Sequence, residues 1–448
     1  MKNSPTLTLS KKKYTFQVLD AINTDIEVTE NPYQLPIDDL FTMAARINKK
    51  RSFLFVSKVL GKHLPIDANK GLTTAALLAA RFLESIKGME CREKERLLFS
   101  FQQGGEFMDH PFIPPNINPV VIGFAETATA LGHAFFACFQ NADYFHTTRE
   151  ELVNQTPGIT FEEEHSHATS HRCYVAPELL QNNREIILVD DEMTTGKTAI
   201  NIIRSIHEQF PRKEYTVVSI LDWRSDENKA EFFRLENELG IKIRVVSLLS
   251  GSVKVQQLRE LEEQSHELNQ ANQIEMSIEK VQLAQYFTSS PFHDRNNISY
   301  IYDTGRFGLN SVEHLTDQQK MGEAAKFLKD KRSGQNTLCL GTGEFMYLPM
   351  KLAAAMGKGV FYQSTTRSPI YIEDKEGYGA RFGLTFPNPE DWDVTHFVYN
   401  IPPGLYDELF LFFEREVELK NFQPFLDVIA TLQIESVKLV FFSNARGE

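Results

Sequence analysis

The chain reads as an α/β protein, a parallel-sheet, Rossmann-like domain followed by a second α/β domain of related pattern. Three observations carry this. Short apolar runs alternate with helical stretches of ten or more residues between about 50 and 250, the pattern of a parallel sheet with crossover helices. A second alternation begins near residue 299. The 448 residues also exceed one core and point to two or three domains at about 150 residues each.

The elements follow in order. Residues 52–56 (SFLFV) form a short apolar run and 71–86 have helical period. Residues 120–122 are a buried strand candidate, followed by a small-residue helix to 139. The clearest buried strand is 185–189 (EIILV), five residues bounded by polar ones. An amphipathic helix over 199–210, a strand at 215–221, a helix at 231–239 and a strand at 243–249 complete the first unit. Residues 256–285 are polar and charged with leucines at helical spacing, which predicts a helical bridge. The second unit has strands near 299–302, 337–340, 395–400 and 438–442, with helices over 317–330 and 347–356. The domains expected are therefore 1–250, with its first 115 residues as an N-terminal hood, a linker at 251–285, and 286–448.

Composition narrows the function classes. At 42% hydrophobic and 24% charged, the chain is neither disordered nor a disulfide scaffold. Its 47 basic and 60 acidic residues give a net charge of -13, a poor footprint for nucleic acid or an anionic membrane. The four cysteines form no C-x-x-C pair and favour a reducing compartment. No apolar segment follows the polar start, and 120–139 carries Glu126 and His133, so a cytoplasmic protein is expected.

The densest chemical signal is IILVDDEMTTGKTAI at 186–200. A buried strand delivers Asp190 and Asp191 to its end, and a turn (Thr194, Thr195, Gly196, Lys197, Thr198) opens a helix. N–H groups at a helix start favour an anion such as phosphate, and Gly196 lets backbone approach it closely. Paired carboxylates suit the vicinal hydroxyls of a ribose. The combined reading is a ribose 5-phosphate site. Gly196-Lys197-Thr198 also looks like the end of an ATPase phosphate loop, but that loop needs glycine where Asp191 stands.

ILVDDEMTTGKT resembles the 5-phosphoribosyl 1-pyrophosphate (PRPP) signature of type I phosphoribosyltransferases, of the orotate phosphoribosyltransferase kind. Glu192 departs from it, since the family usually has an aliphatic residue there. The resemblance implies that Asp190 and Asp191 are the catalytic acids and ligands of Mg²⁺, with 194–198 on the 5-phosphate. It places Gly123, Ala125, Glu126, Thr127 and Arg149 at the diphosphate. Residues 161–167 (FEEEHSH) fall where the mobile loop closes over PRPP, making Glu164 and His165 catalytic candidates. His165, His167, His171 and Cys173 also raise a zinc reading, although their spacing fits no standard site. Lys58, Lys62 and His63 stand where a hood would meet the acceptor, and Asp222, Trp223 and Arg224 follow the next strand.

The C-terminal half repeats part of this. Gly123-x-x-Glu126 has a counterpart in Gly341-x-x-Glu344, and in both copies a Thr-Thr-Arg string follows, its arginine 23 residues after the glutamate, at Arg149 and Arg367. Taking 396–400 (HFVYN) as the next strand, the second copy lacks an acid pair. Thr366-Arg367-Ser368-Pro369 is the string that names the TRSP domain, which resembles the partner fused to phosphoribosyltransferases in tellurite-resistance stress operons. Asp303, Arg306, Gly341, Glu344, Thr366 and Arg367 are the candidates for a second ligand site. The resemblance implies an Mg²⁺-dependent phosphoribosyltransferase acting on PRPP and an acceptor in a stress-linked pathway, with a homodimer and operon-encoded partners expected. Alternatives are a catalytically silent PRPP- or nucleotide-sensing regulator and a metal-binding resistance protein.

Overall fold

The structure, a computed structural model, describes residues 12–47, 52–107, 109–162, 170–261 and 275–444. Four consecutive apolar residues, Ile186 to Val189, are fully buried, as a strand covered on both faces requires. That strand, Ile186–Met193, pairs in parallel with Val120–Gly123 on one side and Glu214–Asp222 on the other. Asp143–His146 and Lys242–Gln257 extend the parallel sheet outward. Antiparallel strands finish both edges: Ile22–Glu30 and Lys12–Val18 on one, Leu309–Asn310 on the other. The carboxyl ends of the central strands lie along one edge, where open α/β sheets collect ligands.

A second sheet of five parallel strands runs in the order Ser277–Gln282, Ser436–Phe441, Glu408–Phe413, Thr337–Gly341, Val360–Ser364. Helices Ala128–Phe136 and Tyr347–Ala355 pack together between the two sheets. The helix expected over 317–330 begins earlier, at Ser311, because Asn310 and Glu313 form a capping box. Among the described residues no helix is long and apolar enough to cross a membrane, and all four cysteines are buried and free.

Two expectations are corrected. The bridge at 251–285 begins and ends in strand rather than helix: Lys242–Gln257 continues along Ile22–Glu30, and Ser277–Gln282 is a sheet edge. Only Val281 of the latter is buried, so this edge strand carries no apolar run to betray it. The second unit's strand after its Thr-Thr-Arg also differs from the one expected. Residues 395–400 belong to a hairpin, Gly383–Asn388 with Asp391–Tyr399, and the sheet strand is Glu408–Phe413. Its LFLFF run is fully buried, the pattern of a parallel-sheet centre.

Burial sets a pH dependence. Desolvation pushes His146 down to about 3, and His314 and His396 down to about 4. Between these values and the usual 6.5 the unfolded chain binds protons the native chain refuses, so stability falls as pH drops. At pH 5 each costs roughly 2 kcal/mol. Asp303, pushed up to about 6 chiefly by burial, opposes this in part, because its protonated form is favoured in the fold. Melting temperature is expected to fall steadily from pH 7 to pH 5; a flat profile would refute the buried neutral histidines.

Candidate functional site

The strand Ile186–Met193 ends at a turn in which Gly196 adopts φ 77°, and the helix Lys197–Gln209 starts there with no side-chain cap. A Cβ on Gly196 would fall 2.6 Å from the Phe232 ring, so both conformation and space require glycine. Asp190 and Asp191 are partly buried, and the Asp191 N–H donates to Asp190 Oδ1 at 2.9 Å.

Facing this turn is the loop between Val120–Gly123 and the helix Ala128–Phe136. Its Ala125 N–H donates to Thr147 Oγ1 at 2.9 Å, and the Ala125–Glu126 peptide is cis. Glu126 is buried, with Lys62 Nζ 3.7 Å from its carboxyl and Thr366 Oγ1 donating to it at 2.9 Å. Burial alone would raise its pKa, but Lys62, Arg149, His396 and Arg367 hold it below the ordinary carboxylate range. Lys62 also donates to Thr127 Oγ1 at 2.6 Å.

These parts enclose a cavity of about 170 Å³. Ala125, Glu126, Thr127, Arg149, Asp190, Asp191, Thr194, Thr195, Gly196 and Thr198 all line it. Lys197 does not; its side chain is exposed on the helix, while Gly123 closes the strand beneath the loop. Glu164 and His165 lie outside the described residues, as does His167 of the zinc reading. Among the described residues no three His, Cys, Asp or Glu side chains are grouped to hold a metal. The cavity also takes in Arg46, at the end of the strand Phe41–Ala45 and absent from the sequence candidates, and His171, considered there only as a zinc ligand, whose Nδ1 meets Thr147 Oγ1 at 2.9 Å. No local motif marks either as a residue of this cavity, because the hairpins Phe41–Ala45 with Phe53–Ser57 and Ile159–Glu162 with Ser170–Cys173 carry them there.

Other candidates turn out structural. Of the hood cations only Lys62 reaches the cavity; Lys58 donates to the Asp38 carbonyl, and His63 packs edge-on to Tyr399. Asp222 and Arg224 form a buried ion pair, and Trp223 stacks on Phe55 at 5.2 Å. The six second-site candidates do not form one pocket. Asp303 is buried and accepts from the Thr288 N–H, Arg306 is paired with Glu414, and Gly341 ends a strand. Glu344 and Thr366 instead bond to Thr148, Arg149 and Glu126 of the first half, and Arg367 lies near Glu126. The reason is the packing of the two halves, which puts both copies of the loop at one interface.

A parallel α/β sheet with two acids, a Thr/Gly turn and a facing loop at its carboxyl edge defines the phosphoribosyl transferase class of fold. The family model described as "Phosphoribosyl transferase" matches residues 40–252, and that of the TRSP domain C-terminal to it matches 303–429. The chain thus carries a phosphoribosyl transferase domain followed by a TRSP domain. Solved structures similar to it include adenine phosphoribosyltransferases. That from Saccharomyces cerevisiae is 17% identical, covering 29% of this chain and 66% of that one, just short of two thirds, with a TM-score of 0.20. That from Trypanosoma brucei is 10% identical, covering 50% and 82%, with a TM-score of 0.31. No curated protein matches the chain.

Proposed function

We propose that the chain transfers a phosphoribosyl group from PRPP to an acceptor with release of pyrophosphate, in a stress-linked biosynthetic pathway. The observation that carries this reading is the single cavity shared by the acid pair, the 194–198 turn and the 124–127 loop, which are far apart in sequence. The turn takes the 5-phosphate, Asp190 and Asp191 orient the ribose hydroxyls, and Arg149 with the loop amides takes the diphosphate. The acceptor's lone pair forms the new bond at C1 of the sugar as the C1–oxygen bond breaks, its electrons leaving with pyrophosphate.

The partly buried carboxylates of Asp190 and Asp191 fit Mg²⁺, a hard cation that takes one or two protein carboxylates together with substrate phosphates. When bound, it neutralises charge on the diphosphate. Against a net charge of -13, Lys62, Arg149 and Arg46 then supply the local positive field that draws the substrate in.

Calorimetry with PRPP and Mg²⁺, followed by pyrophosphate release across a panel of nucleophilic acceptors, tests the proposal. One PRPP per chain and release with at least one acceptor are expected. No binding at millimolar PRPP would overturn it, and binding without any release would mark a PRPP-sensing regulator instead. Gly196→Ala should weaken PRPP about tenfold or more, since the methyl meets Phe232 and the positive φ costs about 1 kcal/mol or more. Unchanged affinity in that variant would remove the turn from the site.

A further inference from the structure

The two halves match well beyond the short motif visible in sequence. Strand order in the first sheet is Asp143–His146, Val120–Gly123, Ile186–Met193, Glu214–Asp222, Lys242–Gln257. In the second it is Val360–Ser364, Thr337–Gly341, Glu408–Phe413, Ser436–Phe441, Ser277–Gln282, all parallel. Only the last position differs, being filled from upstream in the chain. The hydrogen bonds repeat as well. Ala125 N–H to Thr147 Oγ1 at 2.9 Å is matched by Gly343 N–H to Thr365 Oγ1 at 2.9 Å. Thr147 meets His171 at 2.9 Å, and Thr365 meets His396 at 2.8 Å. Tyr144 and Tyr362 each donate to a carbonyl of the facing loop or helix, at 2.9 and 3.0 Å.

The second crevice can therefore be located. Gly123 pairs with Val189, two residues before Asp191. In the second sheet Leu340 pairs with Leu411, so Gly341 is level with Phe412, and two residues on stands Glu414. The counterparts of Asp190 and Asp191 are thus Phe413 and Glu414, and Arg415 follows where Glu192 stands in the first sheet. Arg306 binds Glu414 through Nη1 at 2.8 and 2.9 Å, both residues buried. Arg415 reaches Glu150 at 3.0 Å and Glu390 at 2.8 Å, and both guanidiniums lie over the Tyr300 ring. No Thr/Gly turn comes after Arg415; the next residues are EVELKNF. The chain's own arginines and carboxylates thus pair with one another at this strand end.

The halves also exchange contacts reciprocally. Glu344 accepts from Thr148 Oγ1 at 2.6 Å and from the Arg149 N–H at 2.7 Å, while Thr366 donates to Glu126 at 2.9 Å. Leu309–Asn310 pairs on the edge of the first sheet, and Ile66 bridges Tyr362 on the edge of the second. A glycine shortly before each pairing segment approaches the other half's tyrosine with no room to spare: a Cβ on Gly61 would fall 2.7 Å from Tyr362, and one on Gly305 2.6 Å from Tyr144.

We propose that the C-terminal half is a built-in partner copy of the first: Arg306, Glu414 and Arg415 close its own crevice, and Glu344 and Thr366 are positioning residues that hold Arg149 and Glu126 for the diphosphate of the first. This rests on the phosphoribosyl reading of the first crevice, whose catalytic contacts remain in the first half. The second half's contribution is confined to the diphosphate end, so a ligand lacking that group does not sense it.

Calorimetry on the full chain with Mg²⁺ separates these ends, using PRPP and ribose 5-phosphate as probes. Glu344→Gln and Thr366→Val are each expected to weaken PRPP about tenfold or more, with ribose 5-phosphate affinity unchanged. Thr366→Ser, which keeps the hydroxyl, should bind PRPP like wild type. Stoichiometry should be one PRPP per chain. If a variant melts early, the ratio of the two affinities is the readout, because loss of folded chain weakens both alike. PRPP affinity unchanged in both variants, a serine variant as weak as valine, or two PRPP per chain would overturn the partner-copy role. Wild-type chain that binds neither probe would overturn the phosphoribosyl reading itself, and the partner-copy role with it.

Discussion

The double variant Asp190→Asn, Asp191→Asn is expected to lose PRPP binding at millimolar ligand while melting close to wild type. Both carboxylates stand at the end of Ile186–Met193, partly buried at the cavity rather than in the core below, where Ile186 to Val189 carry the packing. Asparagine keeps shape and polarity but loses charge. Hydrogen bonds from sugar hydroxyls to a carboxylate contribute roughly 1.5–3 kcal/mol each, so losing two lowers affinity at least about a hundredfold. Loss of the hard-oxygen charge that suits Mg²⁺ acts in the same direction. Calorimetry reads the affinity and a thermal melt reads the fold. Wild-type affinity in the double variant would remove the acid pair from the ribose site, whatever the fate of the turn.

The second large effect lies in the other crevice and concerns stability. Arg306→Ala leaves Glu414 buried without its partner and takes one guanidinium from above Tyr300. Breaking a buried pair by removing one member costs about 3–5 kcal/mol, which in a unit of this size lowers melting by roughly 10 °C. The loss arises mainly from the stranded charge. Arg306→Met combined with Glu414→Leu, which removes both charges and keeps the volume, should recover most of the stability. A double variant as unstable as Arg306→Ala would show that the pair contributes more than mutual neutralisation. Neither substitution touches the cavity around Asp190, so PRPP affinity per folded chain should stay constant.

Much of the first site was legible because its residues are contiguous. A buried apolar run, two acids, a Thr/Gly turn and a helix start occupy 186–200, and local backbone geometry places them as read. The Gly-x-x-Glu loops and the Thr-Thr-Arg strings were legible as a repeat for the same reason. Lys62 was legible only as part of a hood and His171 only as a zinc candidate, and Arg46 carried no signal, since hairpin pairing rather than spacing brings Arg46 and His171 to the cavity. The strand Glu408–Phe413 had a clear signal in LFLFF, and missing it hid the counterpart of the acid pair.

By itself, then, the sequence determined the acid pair and Thr/Gly turn of one crevice and the presence of two related α/β units, because both depend on strand, turn and helix rules that act over a few residues. Only the tertiary structure decided that the second crevice is shut and that the two loop copies meet. Arg306 and Glu414 are 108 residues apart, and Glu344 is 196 from Thr148. Such pairs form because each half completes the edge of the other's sheet, and no local periodicity records which edge strand goes where.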